Sequence, residues 1–284
     1  MSLDLAAPSF KTVRPPLPSV RARLTYMDRP SGKPFTLAYD PAPGEIQTNA
    51  VYADHEVTIQ DARGIADELS LDVEGFELKC HRSSVEDYDD EALVESLGHA
   101  EAVRLVTEAT GASRVQVFDH TIRRRAPNVA DRTPGAPRQP AIRVHDDYTE
   151  WSGPQRVRDV LPKEAEALLQ RRFAFINVWR PIRHPAMEWP LAVCDERSID
   201  PEDLVALDLV YRERRGEIYA GAYNPAHRWF YFPDMQLDEA LLIKCYDTRP
   251  DVARFVLHSA FDDPCSPIDA PLRESIEYRT IAFF

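Results

Sequence analysis

The chain has 284 residues, enough for one large domain with elaborations, and its 44% hydrophobic and 29% charged residues are ordinary for a globular protein. Its formal net charge of −13 argues against nucleic acid as a partner, because binding to a phosphate backbone needs a positive field. No apolar run approaches the roughly 20 residues of a membrane-spanning helix, and the N-terminus lacks a secretory pattern, so we expect no membrane association.

The cysteines give no sign of a disulfide framework or a zinc knuckle. The four cysteines are scattered and none forms a C-x-x-C pair. A reducing cytoplasm is therefore the expected compartment. The four positions are Cys80, Cys194, Cys245 and Cys265.

The N-terminal half of the chain mixes extended segments with one helix. Residues 1–20 are rich in proline and are expected to form an extended arm, with residues 21–284 as a single domain. Acids at 89–91, followed by apolar residues at helical spacing, predict a helix that ends at Gly111. Extended segments are expected at 21–26, 35–39, 57–61, 76–80 and 115–118. The segments 57–61 and 76–80 are expected to pair in a minor sheet.

The C-terminal half is dominated by predicted strands. A loop at 126–140, with four prolines and a glycine, precedes an extended segment at 141–149, and a helix is predicted at 161–170. Strands are then expected at 173–179, 204–211, 217–223, 227–232, 240–246, 253–261 and 275–283. Turn residues separate them at fairly regular spacing, which indicates a mainly β fold with flanking helices. We predict a double-stranded β-helix, that is, a cupin-like jelly roll.

Three residues could share one metal ion. Residues two apart on a strand point to the same face, so His145 and Asp147 can converge on one ion. His258, on a distant predicted strand, would complete the set of two histidines and one carboxylate that non-haem Fe(II) oxygenases use. The alternatives are a turn-capping role for Asp147 and a hydrogen-bonded core position for His258. His-x-Asp alone is a weak signal.

A second pair of candidate ligands competes with this set. Asp119 and His120 are adjacent, so on a strand they face opposite ways and are unlikely to bind one ion. We expect His120 to lie near the site or to line its pocket.

An Arg-x-Ser pair follows His258 at a distance of fifteen residues. Arg273 and Ser275 share a face of a predicted strand, and a guanidinium can bind the distal carboxylate of 2-oxoglutarate bidentately. Arg279 is the rival for this role, but Ser275 gives Arg273 a second donor on its face. Asn177 is a further candidate for the co-substrate site, although asparagines at strand ends usually bond to the backbone.

Two further groups of residues have both a functional and a structural interpretation. The basic cluster at 123–125 is either a solvated loop held by local acids or part of a positively charged lid over an anionic or polar substrate. Trp179 and Arg180 could line the pocket, and core packing is the simpler interpretation of Trp179.

Several longer motifs resemble one known family over nearly the whole chain. They lie at 61–64, 76, 177–182, 191–195, 242–247, 258–262 and 269–277. These stretches resemble the fungal hydroxylase/desaturase proteins often described as gibberellin-desaturase-like, a group that includes the bacterial 7α-cephem hydroxylase component.

The resemblance implies an Fe(II)- and 2-oxoglutarate-dependent oxygenase that hydroxylates or desaturates a small natural-product-like molecule. It implies His145, Asp147 and His258 as iron ligands, and Arg273 with Ser275 at the co-substrate. The two histidines are 113 positions apart, and this spacing departs from the commoner plant-type oxygenases and requires a long insertion between the metal-binding strands. The remaining alternatives are a cupin-type metalloenzyme that does not use 2-oxoglutarate and a non-catalytic partner subunit. A homodimer is also possible.

Overall fold

Two β-sheets form the body of the protein in the computed structural model, which describes residues 15–284. The strands are β1 (Ser19–Met27), β2 (Phe35–Leu37), β3 (Tyr52–Asp61), β4 (Phe76–Cys80), β5 (Arg114–Arg124), β6 (His145–Asp146), β7 (Phe173–Pro181), β8 (Leu191–Cys194), β9 (Leu204–Val210), β10 (Arg215–Gly221), β11 (Trp229–Tyr231), β12 (Glu239–Asp247), β13 (His258–Ala260) and β14 (Glu274–Phe283). The helices are α1 (Glu91–Leu93), α2 (His99–Thr110), α3 (Ser152–Val160) and α4 (Ala165–Leu168).

The larger sheet has nine strands in the order β1-β3-β11-β8-β13-β6-β10-β9-β2, and the smaller sheet has five in the order β4-β12-β7-β14-β5. Apolar side chains of both sheets meet in one core, with Phe175 and Trp179 from the smaller sheet and Val193 and Phe230 from the larger one. This arrangement confirms the predicted jelly-roll class. It places β6 and β13 side by side in the larger sheet, with β7 and β14 in the smaller sheet.

Every residue of β7 is buried, because both faces of this strand are covered. Phe173 and Phe175 point into the core between the sheets, whereas Ala174 and Ile176 pack on the other side with Val106 of α2. The sequence of a central strand covered on both faces is a nearly continuous apolar run. The strand predicted at 173–179 is confirmed as β7.

The predicted helix after the acids at 89–91 is confirmed, with one irregularity. Asp90 caps α1 by accepting from the backbone N–H groups of Ala92 and Leu93. A single π-helical turn (Val94–Gly98) joins α1 to α2. The helix ends at Gly111, whose φ of 69° is the left-handed conformation that glycine adopts readily.

The predicted minor sheet of 57–61 with 76–80 is wrong. β3 pairs with β1 and β11 in the larger sheet, whereas β4 pairs with β12 in the smaller one. Alternating side chains mark a strand but do not identify its partner, and here the partners come from distant parts of the chain.

Two other element predictions need correction. The helix predicted at 161–170 is shorter in the structure, where only α4 forms. The preceding helix, α3, was not predicted, because it contains Gly153 and Pro154, which usually interrupt helices. Proline is tolerated here because it lies in the first helical turn, where an N–H has no partner in the helix. The strand predicted at 253–261 is reduced to β13.

The predicted arm lies largely outside the described residues. Residues 1–14 are not described, and Ser19 and Val20 already belong to β1. The division into an arm and a single domain stays a prediction. Within residues 15–284, no helix is long and apolar enough to cross a membrane.

Candidate metal centre

His145 and His258 face each other on neighbouring strands. β6 and β13 are antiparallel, and their register places the two histidines directly opposite. Their ring centroids are 4.4 Å apart. Asp147 follows β6, and its Oδ1 lies 3.8 Å from Nε2 of His145. One ligand atom from each of the three residues can be chosen so that all lie within 4.8 Å of one another, close enough to share an ion.

Both imidazoles are oriented by the backbone in the same way. Nδ1 of His145 lies 2.8 Å from the carbonyl oxygen of Arg143, and Nδ1 of His258 lies 2.9 Å from that of Val256. A carbonyl can only accept, so each Nδ1 donates to it, which leaves Nε2 of each ring as the nitrogen available to a metal. Burial, with the neighbouring His258, lowers the pKa of His145 to about 3 and keeps this ring neutral.

The carboxylate of Asp147 is held at one of its two oxygens. Its Oδ2 accepts from Nδ2 of Asn177 at 2.8 Å and from Nε of Arg279 at 3.2 Å. Burial favours the neutral acid, but the charge of Arg279, together with the hydrogen bond from Asn177, outweighs it and holds the pKa of Asp147 well below its usual range. Oδ1 of Asp147 is therefore anionic in character and directed toward the histidines.

A second cluster shares His258 with Asp146 and Cys245, all three buried. Burial, together with the charge of Asp147, raises the pKa of Asp146 well above its usual range, and burial also raises that of Cys245. Metal ligands of these types must be deprotonated. The cluster is therefore a poorer ligand set than the one with Asp147.

Arg273 lies directly before β14 and is 1% exposed. Its backbone N–H donates to Oε1 of Glu188 at 2.7 Å, and its Nη1 donates to the carbonyl of Trp189. Nε of Arg273 and Oγ of Ser275 are buried and have no hydrogen-bond partner among the described residues. Burial, with the charge of Arg123, lowers the pKa of Arg273 to about 9. Two orphaned donors and a poorly compensated cation fit a carboxylate of a bound co-substrate.

The segment that supports Arg273 is strained. Trp189 has a φ of 46°, in the left-handed region that bulky residues rarely adopt. This conformation presents its carbonyl to Arg273, while its ring lies 5.0 Å from the guanidinium of Arg125. Arg125 also pairs with Glu188 at 2.8 Å. The backbone strain thus accompanies a direct contact with the arginine at the site.

The other candidates from the sequence have different surroundings. Arg279 already contacts the carboxylates of Asp147, Asp119 and Glu277, so the rival to Arg273 is engaged elsewhere. We expected His120 to lie near the site, and this expectation is wrong. The side chain of His120 points to α2, where its Nδ1 lies 3.1 Å from Nε2 of His99.

Trp179 and Arg180 are adjacent on β7, so their side chains point to opposite faces of the smaller sheet, as those of Asp119 and His120 do on β5. Trp179 packs in the core between the sheets with its ring 5.6 Å from Arg273. Arg180 faces the opposite side of β7 and donates to the carbonyls of His81 and Leu237. The pocket interpretation of Arg180 is therefore wrong.

Asn177 lies within β7 rather than at its end. One N–H of its side-chain amide donates to Asp147, and its acceptor oxygen has no partner among the described residues. The contacts of Asn177 and Arg279 with Asp147 were missed by the sequence analysis. Residues 273, 275, 277 and 279 alternate onto one face of a strand, and this pattern could have indicated that Arg279 faces the site. No local pattern in the sequence connects Asn177 with Asp147.

A cavity of about 1200 Å³ opens onto two of the three candidate metal ligands. His145, Asp147 and Arg279 line it, together with most of the loop at 126–140. This volume is large enough for a polycyclic small molecule. The loop lies where a cover over the substrate would be.

Most of the chain matches proteins of a known family. A family model described as an oxidoreductase/YMDC permease-like domain matches residues 24–283. The Fe(II)/2-oxoglutarate-dependent dioxygenase nvfI of Aspergillus novofumigatus is 32% identical over 256 residues, which cover 86% of this chain and 88% of the relative. The chain belongs to the fungal Fe(II)/2-oxoglutarate-dependent hydroxylase/desaturase family.

Further family members extend this comparison. The hydroxylase/desaturase efuI of Hormonema carpetanum is 34% identical over 258 residues, covering 84% of this chain and 86% of the relative. The solved structure of the iron and alpha-ketoglutarate-dependent endoperoxidase NvfI superposes with a TM-score of 0.85 at 31% identity, covering 93% of this chain and 98% of that chain. The predicted family and enzyme class are confirmed.

Proposed function

We propose that this dioxygenase binds Fe(II) through Nε2 of His145, Nε2 of His258 and Oδ1 of Asp147. The observation that carries the proposal is the direct opposition of the two histidines, each with its Nδ1 at a backbone carbonyl. Neutral imidazoles and a carboxylate suit Fe(II), and three protein ligands leave positions for a co-substrate and dioxygen.

Arg273 and Ser275 would bind the distal carboxylate of 2-oxoglutarate. Their unpartnered Nε and Oγ supply donors that this anion would satisfy. When bound, Fe(II), 2-oxoglutarate and dioxygen supply the oxidising power and release succinate and carbon dioxide. The protein contributes orientation: Asn177 and Arg279 hold Oδ2 of Asp147 so that Oδ1 stays directed toward the histidines.

The substrate is proposed to be a small natural-product-like molecule that is hydroxylated or desaturated. The volume of the cavity beside His145 and Asp147 supports a substrate larger than a simple metabolite. Endoperoxide formation is a second candidate, favoured by the likeness to the endoperoxidase NvfI. Product mass separates the three outcomes, since hydroxylation adds one oxygen atom, desaturation removes two hydrogens and endoperoxidation adds both atoms of dioxygen.

Anaerobic titration tests the site. Purified protein loaded with Fe(II) should develop a visible metal-to-ligand charge-transfer band when 2-oxoglutarate is added. His258→Ala should lose the band together with iron binding, whereas His99→Ala, which alters a histidine on the far side of the smaller sheet, should keep it. A folded wild-type protein that binds iron but shows no band would contradict the assignment.

Compartment and assembly remain proposals. Cys194 and Cys245 are buried thiols, whereas Cys80 and Cys265 are exposed, and none of the four is paired in a disulfide. This pattern supports a reducing cytoplasm. A homodimer or a partner subunit stays a prediction.

A further inference from the structure

Arg123 lies between the proposed co-substrate pocket and the open cavity. It is on β5 directly opposite Ser275, so its side chain shares the inner face of the smaller sheet with Ser275 and Arg279. Arg123 lines the large cavity, whereas Arg273 lies buried behind it. A guanidinium at this place can contact a molecule that enters the cavity.

The guanidinium of Arg123 has little local compensation. Its Nη1 donates to the carbonyl of Gln139 at 2.8 Å. No carboxylate of residues 15–284 forms an ion pair with it, and an arginine has five N–H donors. Burial lowers the pKa of Arg123, although Glu277 opposes this shift. The carboxylate of Glu277 is itself bonded to Arg279 at 2.8 Å.

Several other arginines of the cavity differ in this respect. Arg138 pairs with Asp131 and Arg215 pairs with Asp208. Arg279 has three carboxylates around it. Arg143, Arg156 and Arg214 also have no ion pair among the described residues, but each guanidinium lies over an aromatic ring. Of the cavity arginines in residues 15–284, Arg123 is the one with neither an ion pair nor a ring contact.

The cavity as a whole is also lined by more basic than acidic side chains. Nine arginines line it against six aspartates and glutamates, although the whole chain carries a net charge of −13. The walls also include large apolar side chains, those of Ile142, Trp151, Leu207 and Leu209. A cavity with apolar walls, an excess of basic side chains and a guanidinium without an ion pair or ring contact complements an apolar molecule that carries an anion.

We propose that the primary substrate is an apolar carboxylic acid and that Arg123 binds its carboxylate. This inference rests on the proposed function, because it places the acid in the same cavity as the metal. 2-Oxoglutarate is the other possible source of a carboxylate. Arg273 and Ser275 already offer two orphaned donors for it, and these lie deeper than Arg123. The position of Arg123 on the cavity wall therefore favours the primary substrate.

A paired-ligand experiment tests the proposal. The protein is first loaded anaerobically with Fe(II) and 2-oxoglutarate, and the charge-transfer band is recorded, which tests the proposed function independently. Calorimetric titration then compares dehydroabietic acid, dodecanoic acid and the methyl ester of each. At least one acid should bind about tenfold more tightly than its ester, because the ester lacks the charged acceptor.

Three variants assign that preference to a residue. Arg123→Gln should bring acid and ester within about twofold of each other while the 2-oxoglutarate titration stays unchanged, and Arg123→Lys should keep part of the preference. The matched control is Arg215→Gln, which removes a cavity arginine that has its own acid and should keep the full preference.

Two results would overturn the proposal while leaving the iron site intact. One is a normal charge-transfer band with no acid binding more tightly than its ester, the absence of any binding included. The other is an Arg123→Gln protein whose affinity for 2-oxoglutarate falls while its acid preference remains, which would assign Arg123 to the co-substrate.

Discussion

Arg273 and Arg279 lie six residues apart along the same edge of the site, yet their surroundings are opposite. Arg279 is surrounded by the carboxylates of Asp147, Asp119 and Glu277. The guanidinium of Arg273 has one contact with a backbone carbonyl, an aromatic neighbour and an Nε without a partner among the described residues. The comparison separates an arginine that holds the protein's own carboxylate from one whose unfilled donors fit an incoming carboxylate.

The largest effect is expected for Arg273→Gln. Loss of the guanidinium should weaken 2-oxoglutarate binding several hundredfold, about 3 to 4 kcal/mol, because a buried carboxylate would lose its charged partner. Fe(II) binding should be unchanged. Anaerobic titration of the charge-transfer band measures the first quantity and equilibrium dialysis measures the second. Equal losses of iron and co-substrate affinity would show that Arg273 supports the whole site instead.

Arg279→Gln should have the complementary effect. Asp147 would lose its charged partner, and Fe(II) affinity should fall between about tenfold and a hundredfold. Co-substrate affinity at saturating iron should stay close to that of the wild type. Arg279→Lys keeps the charge and should restore part of the iron affinity. If Arg279→Gln weakens 2-oxoglutarate more than iron, the roles of the two arginines must be exchanged.

Ser275→Ala sharpens the comparison on the Arg273 side. Its orphaned hydroxyl should contribute one hydrogen bond to the co-substrate, so affinity for 2-oxoglutarate should fall about fivefold, or about 1 kcal/mol. Ser113→Ala is the matched control, since that hydroxyl bonds to the carbonyl of Phe283 at the other end of β14. Both variants are measured by the same titration. An unchanged affinity in Ser275→Ala would remove Ser275 from the co-substrate site.

Asn177→Ala is expected to have the smallest effect, and it tests a role the sequence left open. The amide donates to Oδ2 of Asp147, so its loss should lower Fe(II) affinity by about threefold to fivefold. Affinity for 2-oxoglutarate should not change at saturating iron. The reverse pattern would restore the original prediction that Asn177 contacts the co-substrate.

The two-residue period of a strand was the basis for predicting two pairs of site residues, although Asp147 follows β6 and Arg273 precedes β14. His145 and Asp147 were placed on one face by strand geometry, and Arg273 with Ser275 by the same rule. No local pattern links His258 to His145 and Asp147, because His258 lies 113 positions after His145 and six further strands lie between the two histidines. Whether these residues bind iron and co-substrate stays a prediction that the titrations test.

What could not be predicted depends on pairing between distant strands. Arg279 reaches Asp147 across the two sheets, and Asn177 does so from β7. The assignment of β3 and β4 to different sheets likewise depends on partners far along the chain. A sequence pattern with period two gives the face of a strand but not its neighbour, so these contacts have no local signal.

The shortness of β6 has a consequence for how the site assembles. The strand has only two paired residues, held between β10 and β13, and a slip of one residue would turn His145 away from His258. A cation shared by the two histidines would stabilise only the native register. Metal binding should therefore favour the folded state in which β6 has its native register between β10 and β13. Chelation should increase amide hydrogen exchange in β6 and β13 more than in β7, and hydrogen–deuterium exchange would measure the difference.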